Sequence, residues 1–182
     1  ATTTLSFSGL VGSETLGQSV SSTFNNKNVG TGKTVTVNSI TLSDGSNGGV
    51  ASNYSISSGQ TTTANITAKA LTVSGITASN KTYDGNTVVT LDLTGTSYSG
   101  LVSGDDVSIS ASGSFDNKNV GTGKTVNISS SYSGTDVGNY SITDQATTTA
   151  NITASVSGIT VRGITASNKT YDGNNSATLD TS

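Results

Sequence analysis

Apolar and polar positions alternate at period two through much of this chain. Val107-Ser-Ile-Ser-Ala111 is the clearest case, and Ala64-Asn-Ile-Thr-Ala68, Leu71-Thr-Val73 and Tyr140-Ser-Ile142 follow the same rhythm. Successive side chains of a strand point to opposite faces, so this pattern predicts strands with one buried face. Val35-Thr-Val37 starts another strand, and the apolar phase then slips to Ile40 and Leu42, which predicts a bulge or a turn. No eleven-residue window keeps a 3.6-residue period clear of Gly or a β-branched run, so no helix beyond one or two turns is expected. Asp84-Gly85 and Asp172-Gly173 mark tight turns, where positive φ is cheap.

The pattern repeats. Phe24-Asn-Asn-Lys-Asn-Val-Gly-Thr-Gly-Lys-Thr-Val-Thr-Val37 returns as Phe115-Asp-Asn-Lys-Asn-Val-Gly-Thr-Gly-Lys-Thr-Val-Asn-Ile128. Asn53-Tyr-Ser-Ile56 returns at Asn139 to Ile142, Thr61 to Ala68 at Thr147 to Ala154, and Gly75 to Gly85 at Gly163 to Gly173. The offsets of 91, 86, 86 and 88 residues differ slightly, as loop insertions would make them. The expected frame is a first repeat over 1–70 lacking its opening strand, a complete second repeat over 71–162, and the opening strand of a further repeat over 163–182. The alternative frame is 1–91 and 92–182. No Pro-rich or Gly-rich linker separates the copies, so a short, stiff junction is expected.

Composition narrows the function classes. Hydrophobic residues make up 31% and aromatics 5%, so each unit buries only a thin core. The abundance of Thr and Val favours strands over disorder. Net charge is −3 and the eight basic residues are scattered, so no face for nucleic acid is expected. No apolar run approaches the length of a membrane span. Cys, His, Pro, Met and Trp are all absent, which removes disulfides, most transition-metal sites and the usual nucleophile–base pairs. No cofactor and no catalytic or metal residue is expected.

Five blocks occur in a fixed order: Asn80-Lys-Thr-Tyr-Asp-Gly85, Gly104-Asp-Asp-Val107, Phe115 to Lys124, Gly138-Asn-Tyr140 and Ala150-Asn-Ile-Thr153. Together they resemble the YDG repeat, a module found in tandem in large bacterial surface proteins similar to filamentous haemagglutinins. The resemblance covers nearly the whole chain. It implies an adhesin or surface-fibre spacer, secreted to the bacterial cell surface, with no catalytic residues. The expected fold is all-β: tandem small β-sandwich-like modules, Ig-like or mostly β-grasp, arranged end to end. The first copy departs from the pattern, with Gly12-Ser-Glu14 standing where the second has Ser103-Gly-Asp-Asp106. An acidic feature of that loop is therefore not expected in both copies.

Each remaining candidate has a plainer reading. Gly30-Thr-Gly-Lys-Thr34 and Gly121-Thr-Gly-Lys-Thr125 resemble a phosphate loop, but they lack its earlier Gly and its helix, so a Gly-shaped hairpin turn is expected. Asp105 and Asp106 could join Asp84 or Asp136 in a calcium site, but the spacing matches no calcium loop and they read as solvated acids. The recurring Lys27/Lys118, Lys33/Lys124 and Lys81/Lys169 raise the chemistry of a Lys–Asn amide cross-link. The plainer reading lays their stems on the sheet with the ammonium groups in water. Asn-X-Ser/Thr sequons, including Asn53, Asn65 and Asn139, abound in so Asn-rich a chain. Phe24, Phe115, Tyr54, Tyr83 and Tyr140 are assigned to the core, ahead of an aromatic platform for carbohydrate or a surface polymer. A two-carboxylate glycosidase is disfavoured, because the acids vary between copies while turn and core residues recur.

The segment Gly163 to Leu179, carrying Ile164, Tyr171 and Leu179, is expected to pair as a donated strand with the first copy of an identical chain, head to tail. Thr178-Leu-Asp180, Leu5 and Ser8-Gly-Leu10 would then parallel Thr90-Leu-Asp92, Leu93 and Ser99-Gly-Leu101.

Overall fold

A computed structural model describes residues 5–180, so residues 1–4 and 181–182 of the frames above lie outside the described residues. The fold is all-β. Its strands are β1 (Leu16–Phe24), β2 (Gly30–Asp44), β3 (Thr61–Ile66), β4 (Lys69–Ser74), β5 (Thr77–Ala78), β6 (Lys81–Thr82), β7 (Val88–Val89), β8 (Leu91–Asp92), β9 (Ser97–Ser99), β10 (Ser108–Phe115), β11 (Gly121–Ser133), β12 (Tyr140–Thr143), β13 (Thr147–Thr153), β14 (Thr165–Ala166) and β15 (Leu179–Asp180). The helical segments among the described residues are two single 3₁₀ turns, Ala51–Asn53 and Val137–Asn139.

In the first copy β1, β2 and β3 form an antiparallel sheet in that order. In the second copy the matching β10, β11 and β13 lie inside a five-stranded sheet of order β6-β13-β11-β10-β7. A smaller sheet, β12-β4-β9, joins β12 in parallel to β4, with Tyr140 opposite Lys69 and Ile142 opposite Leu71. Two short ladders, β5–β8 and β14–β15, have equivalent registers: Ala78 faces Leu91 and Ala166 faces Leu179.

The slip of apolar phase in β2 is a bulge. Ser21 pairs with Ser39 and Ser22 with Val37, which leaves Asn38 as the extra residue. It turns the buried face from Val35 and Val37 to the half-buried Ile40 and Leu42 without ending the strand.

The Gly-Thr-Gly-Lys blocks correct the expected hairpin turn. The hairpin itself falls earlier, at residues 25–29 and 116–120, and the glycines form a second bulge inside β2 and β11. Gly32 and Gly123 hold φ of 60° and 59°, and their N–H groups donate to the side chains of Asn65 and Asn151 at 2.8 and 2.7 Å. The recurring Ala-Asn-Ile-Thr block thus caps the recurring Gly-Thr-Gly-Lys block on the adjacent strand.

The core is thin. Val89, Phe115, Val126, Ala150 and Ile152 form one buried cluster, with Ala78 and Leu91 packed at its edge. Leu71, Val73 and Ile76 are buried as well, and Val35 and Val37 are the buried aliphatics of the first copy. Of the aromatic residues assigned to the core, Phe115 is 2% and Tyr140 9% exposed. Phe24 and Tyr54 are only half-buried. Tyr83 is a correction: it is 38% exposed, on the turn that follows the two-residue β6.

Tyr132 lies at the rim of the second copy and donates to Asp144 at 2.5 Å. Burial, and then that bond, push its phenol up to about 12. A raised folded value means the contribution to stability is complete below the unfolded value near 10 and is lost as pH rises through about 12. Alkaline titration at 295 nm is expected to ionise Tyr132 after an ordinary tyrosine, and a Tyr132→Phe chain should lack that late step.

Candidate functional site

The densest polar arrangement joins the two copies. The β1–β2 hairpin carries Lys27 to the second copy, where its ammonium group lies 3.0 Å from Asp105 and 2.7 Å from Asp136. Both aspartate side chains are 12% exposed. On the same hairpin the Val29 N–H donates to the Asn139 side-chain oxygen at 2.9 Å. Tyr140 donates to Asp105 at 2.6 Å, and its oxygen accepts the Val102 N–H at 3.0 Å. A cavity of about 240 Å³ lies beneath this clasp, between Ile66 and Lys69 of the connection and Val102 of the second copy. The connection from β3 to β4 is only Thr67 and Ala68. Two residues of linker and a clasp on the far hairpin restrain the junction at two points.

Charge makes the clasp directional. The bond from Tyr140, and then that from Lys27, hold Asp105 below the ordinary carboxylate value. Lys27, and then the Asp106 N–H, do the same for Asp136. Both carboxylates raise the affinity of Lys27 for its proton. For depressed acids the stabilisation is complete above the unfolded value near 3.9 and is lost as pH falls through the lower folded values. In a Lys27→Met chain, carboxyl NMR titration should move the Asp136 midpoint up further than that of Asp105, which keeps its bond from Tyr140. Equal movement of both would contradict this geometry.

The acidic position recurs in the first copy, which corrects the expectation of a departure there. The Glu14 N–H donates to Val11 O as that of Asp105 donates to Val102 O, each at 3.1 Å. Tyr54 donates to Glu14, and its oxygen accepts the Val11 N–H at 3.1 Å. Glu14 therefore stands for Asp105, one residue away from the match read by eye. Val50, the residue immediately before the 3₁₀ turn that ends in Asn53, takes the place of Asp136. Asp106 is used internally: its carboxylate accepts the Thr135 N–H at 3.1 Å.

Lys33, Lys81, Lys124 and Lys169 are also engaged, against the expectation of heads in water, whereas Lys118 is exposed as expected. Lys81 bonds Asp84 at 2.7 Å, the Asn86 side chain at 2.9 Å and the Val88 carbonyl at 2.9 Å. Lys169 repeats this cage with Asp172 and Asn174 at 2.8 Å each. Lys124 lies 3.0 Å from Asp116 and 2.8 Å from the Asn117 amide oxygen, and Lys33 contacts Asn26. These contacts clamp turns and hairpins.

Ile164, Tyr171 and Leu179 lie together on the β14–β15 hairpin segment, exposed at 54%, 92% and 54%. Reading the sequence raised Lys27 for a cross-link, Asn139 as a sequon and Asp136 as a calcium partner of Asp105, and missed that Lys27 meets Asp105 and Asp136 across the two copies. The signal for Lys27 was its return as Lys118; Asp136 has no such counterpart, because Val50 stands in its place.

A model of the YDG domain matches residues 1–64 and 67–150. No curated protein and no solved structure matches the chain. The matched spans cover most of its length and include the clasp, the Gly-Thr-Gly-Lys bulges and the lysine-caged Tyr-Asp-Gly turn of the second copy, so the chain belongs to the YDG domain family.

Proposed function

We propose that this chain is a structural spacer from a secreted bacterial adhesin or surface fibre, built of small β-sandwich-like repeats docked end to end, and that it performs no catalysis. Its role is length and stiffness, so that a distal part of the parent protein reaches its target. The observation that carries this reading is the clasp of Lys27 on Asp105 and Asp136 across a two-residue connection. A flexible tether needs no such contact, whereas a rod does.

Two further observations favour it over the alternatives. A glycosidase working with two carboxylates needs one of them kept protonated, and Asp105 and Asp136 are both held toward the ionised form. A carbohydrate-binding module needs an aromatic platform. The exposed tyrosines among the described residues are Tyr83 at 38% and Tyr171 at 92%, one on each Tyr-Asp-Gly turn. The test is reach. Parent proteins carrying different numbers of these repeats should hold their distal end at heights above the cell that rise in proportion to repeat number. Height independent of repeat number, or specific retention of this chain on a glycan array, would replace the spacer reading with the binding one.

A further inference from the structure

We infer that the segment Ser157 to Leu179 docks on the first copy of a second molecule of this chain, in the same way that β4 to β8 dock on the second copy, and that Lys118 clasps Glu14 across the contact. The inference deepens the spacer reading and rests on it.

The internal junction is the template. Leu71-Thr-Val73-Ser-Gly-Ile76 corresponds to Ile159-Thr-Val161-Arg-Gly-Ile164. In the first, Leu71, Val73 and Ile76 are 0%, 2% and 1% exposed; in the second, Ile159, Val161 and Ile164 are 95%, 68% and 54% exposed. The same apolar segment is therefore a buried strand once and bare, unpaired chain once. Its hairpin is already shaped, since β14–β15 and the Lys169 cage reproduce β5–β8 and the Lys81 cage without a covering surface. What the bare segment lacks is the partner that β4 has in β12.

The receiving edge is on the first copy. Tyr54-Ser-Ile56 is the counterpart of β12 and forms no strand pair among the described residues, and Ile56 is 39% exposed. The parallel register of β12 on β4 places Tyr54 opposite Ser157 and Ile56 opposite Ile159. β6 pairs in parallel with β13, so Lys169 and Thr170 would lie beside Ile66 and Thr67. Two unpaired segments of matching apolar pattern and register complete each other by forming a strand pair.

Charge supplies an independent match. Lys118 is the counterpart of Lys27 and is exposed on the β10–β11 hairpin, beside a Val120 that is 54% exposed where Val29 is half-buried. Opposite them stand Glu14 for Asp105, Asn53 for Asn139 and Tyr54 for Tyr140. Val50 replaces Asp136, so this clasp has one carboxylate where the internal one has two. The contact is heterologous: the donor end of one molecule meets the receiving end of the next, and nothing closes the series.

Sedimentation velocity of the intact chain across concentration tests this. The expected result is a series extending past dimer to open-ended oligomers. Ile159→Asp, at a bare position that leaves the folded chain intact, should abolish the series. Lys118→Glu should weaken association about tenfold, the loss of one close charge pair. Adding Glu14→Lys to Lys118→Glu should restore it, with circular dichroism checking that both chains fold. A chain that stays monomeric to about 1 mM, the limit of specific association worth naming, overturns the inference. So do closed dimers, and oligomers indifferent to Ile159→Asp. None of these outcomes bears on the reach measurement, so the spacer reading stands or falls separately.

Discussion

Replacing Phe115 by Ala is expected to cost the second copy about 3–5 kcal/mol, the range for deleting a buried aromatic ring from a core. The ring is 2% exposed and lies in the cluster with Val89, Val126, Ala150 and Ile152. A chain with so few aromatics has little else to collapse into the space. β7 fixes the site: Val88 and Val89 pair with β10, and the Phe115 N–H donates to Thr87 O at 2.8 Å, so the backbone around the ring has few ways to relax. Phe24 is the internal control. It occupies the same place in the recurring block and faces Val35 as Phe115 faces Val126, but β1 is the edge of its sheet and the ring is half-buried. Phe24→Ala should therefore cost about 1 kcal/mol, an ordinary point-mutant value. Urea unfolding followed by circular dichroism measures both. A Phe115→Ala loss under about 1 kcal/mol would place the ring outside the energetic core.

That contrast marks what the sequence carried and what it did not. Alternation in Val107 to Ala111 and the phase slip after Val37 are local facts, and they led directly to strands and to the bulge at Asn38. That the described residues hold no helix beyond two single 3₁₀ turns followed from the same local rhythm. The role of Gly-Thr-Gly-Lys did not follow, because the residue that caps its bulge, Asn65 or Asn151, lies about thirty residues away on another strand. Tyr83 and Tyr140 look alike in sequence, each beside a turn; only the pairing of β12 with β4 buries one and leaves the other bare. The clasp was hardest to read. Its lysine belongs to one copy and its acids to the other, so comparing the copies position by position sets Lys27 against Lys118 and never against Asp105 or Asp136. Even the conserved half of the site was hidden, because Glu14 lines up with Asp105 only when the Val11 turn is known to match the Val102 turn.

Gly75→Ala is expected to destabilise the second copy by about 2–5 kcal/mol, and Gly163→Ala to leave that transition where it is. Gly75 has φ of 85°, and a left-handed conformation costs a residue with Cβ about 1–2 kcal/mol. A Cβ there would also fall 2.3 Å from the carbonyl oxygen of Gly95. That oxygen cannot step aside easily. It belongs to the turn closed by the Thr96 N–H on Leu93 O, and β9 begins two residues later, pairing Ser97 with Ser74. Forcing the overlap adds about 1–3 kcal/mol, the usual cost of overpacking. Gly163 has nearly the same φ, 77°, and follows nearly the same sequence, but nothing lies within 4 Å of the place its Cβ would take. Its strain is confined to the exposed β14–β15 segment, which the unfolding of the second copy does not need. In a thermal scan Gly75→Ala should lower the main transition by more than about 8 °C, using the shift per kcal/mol of a domain this size. Equal shifts for the two substitutions would mean that the positive φ alone carries the cost at Gly75, and that the close approach to Gly95 carries no weight.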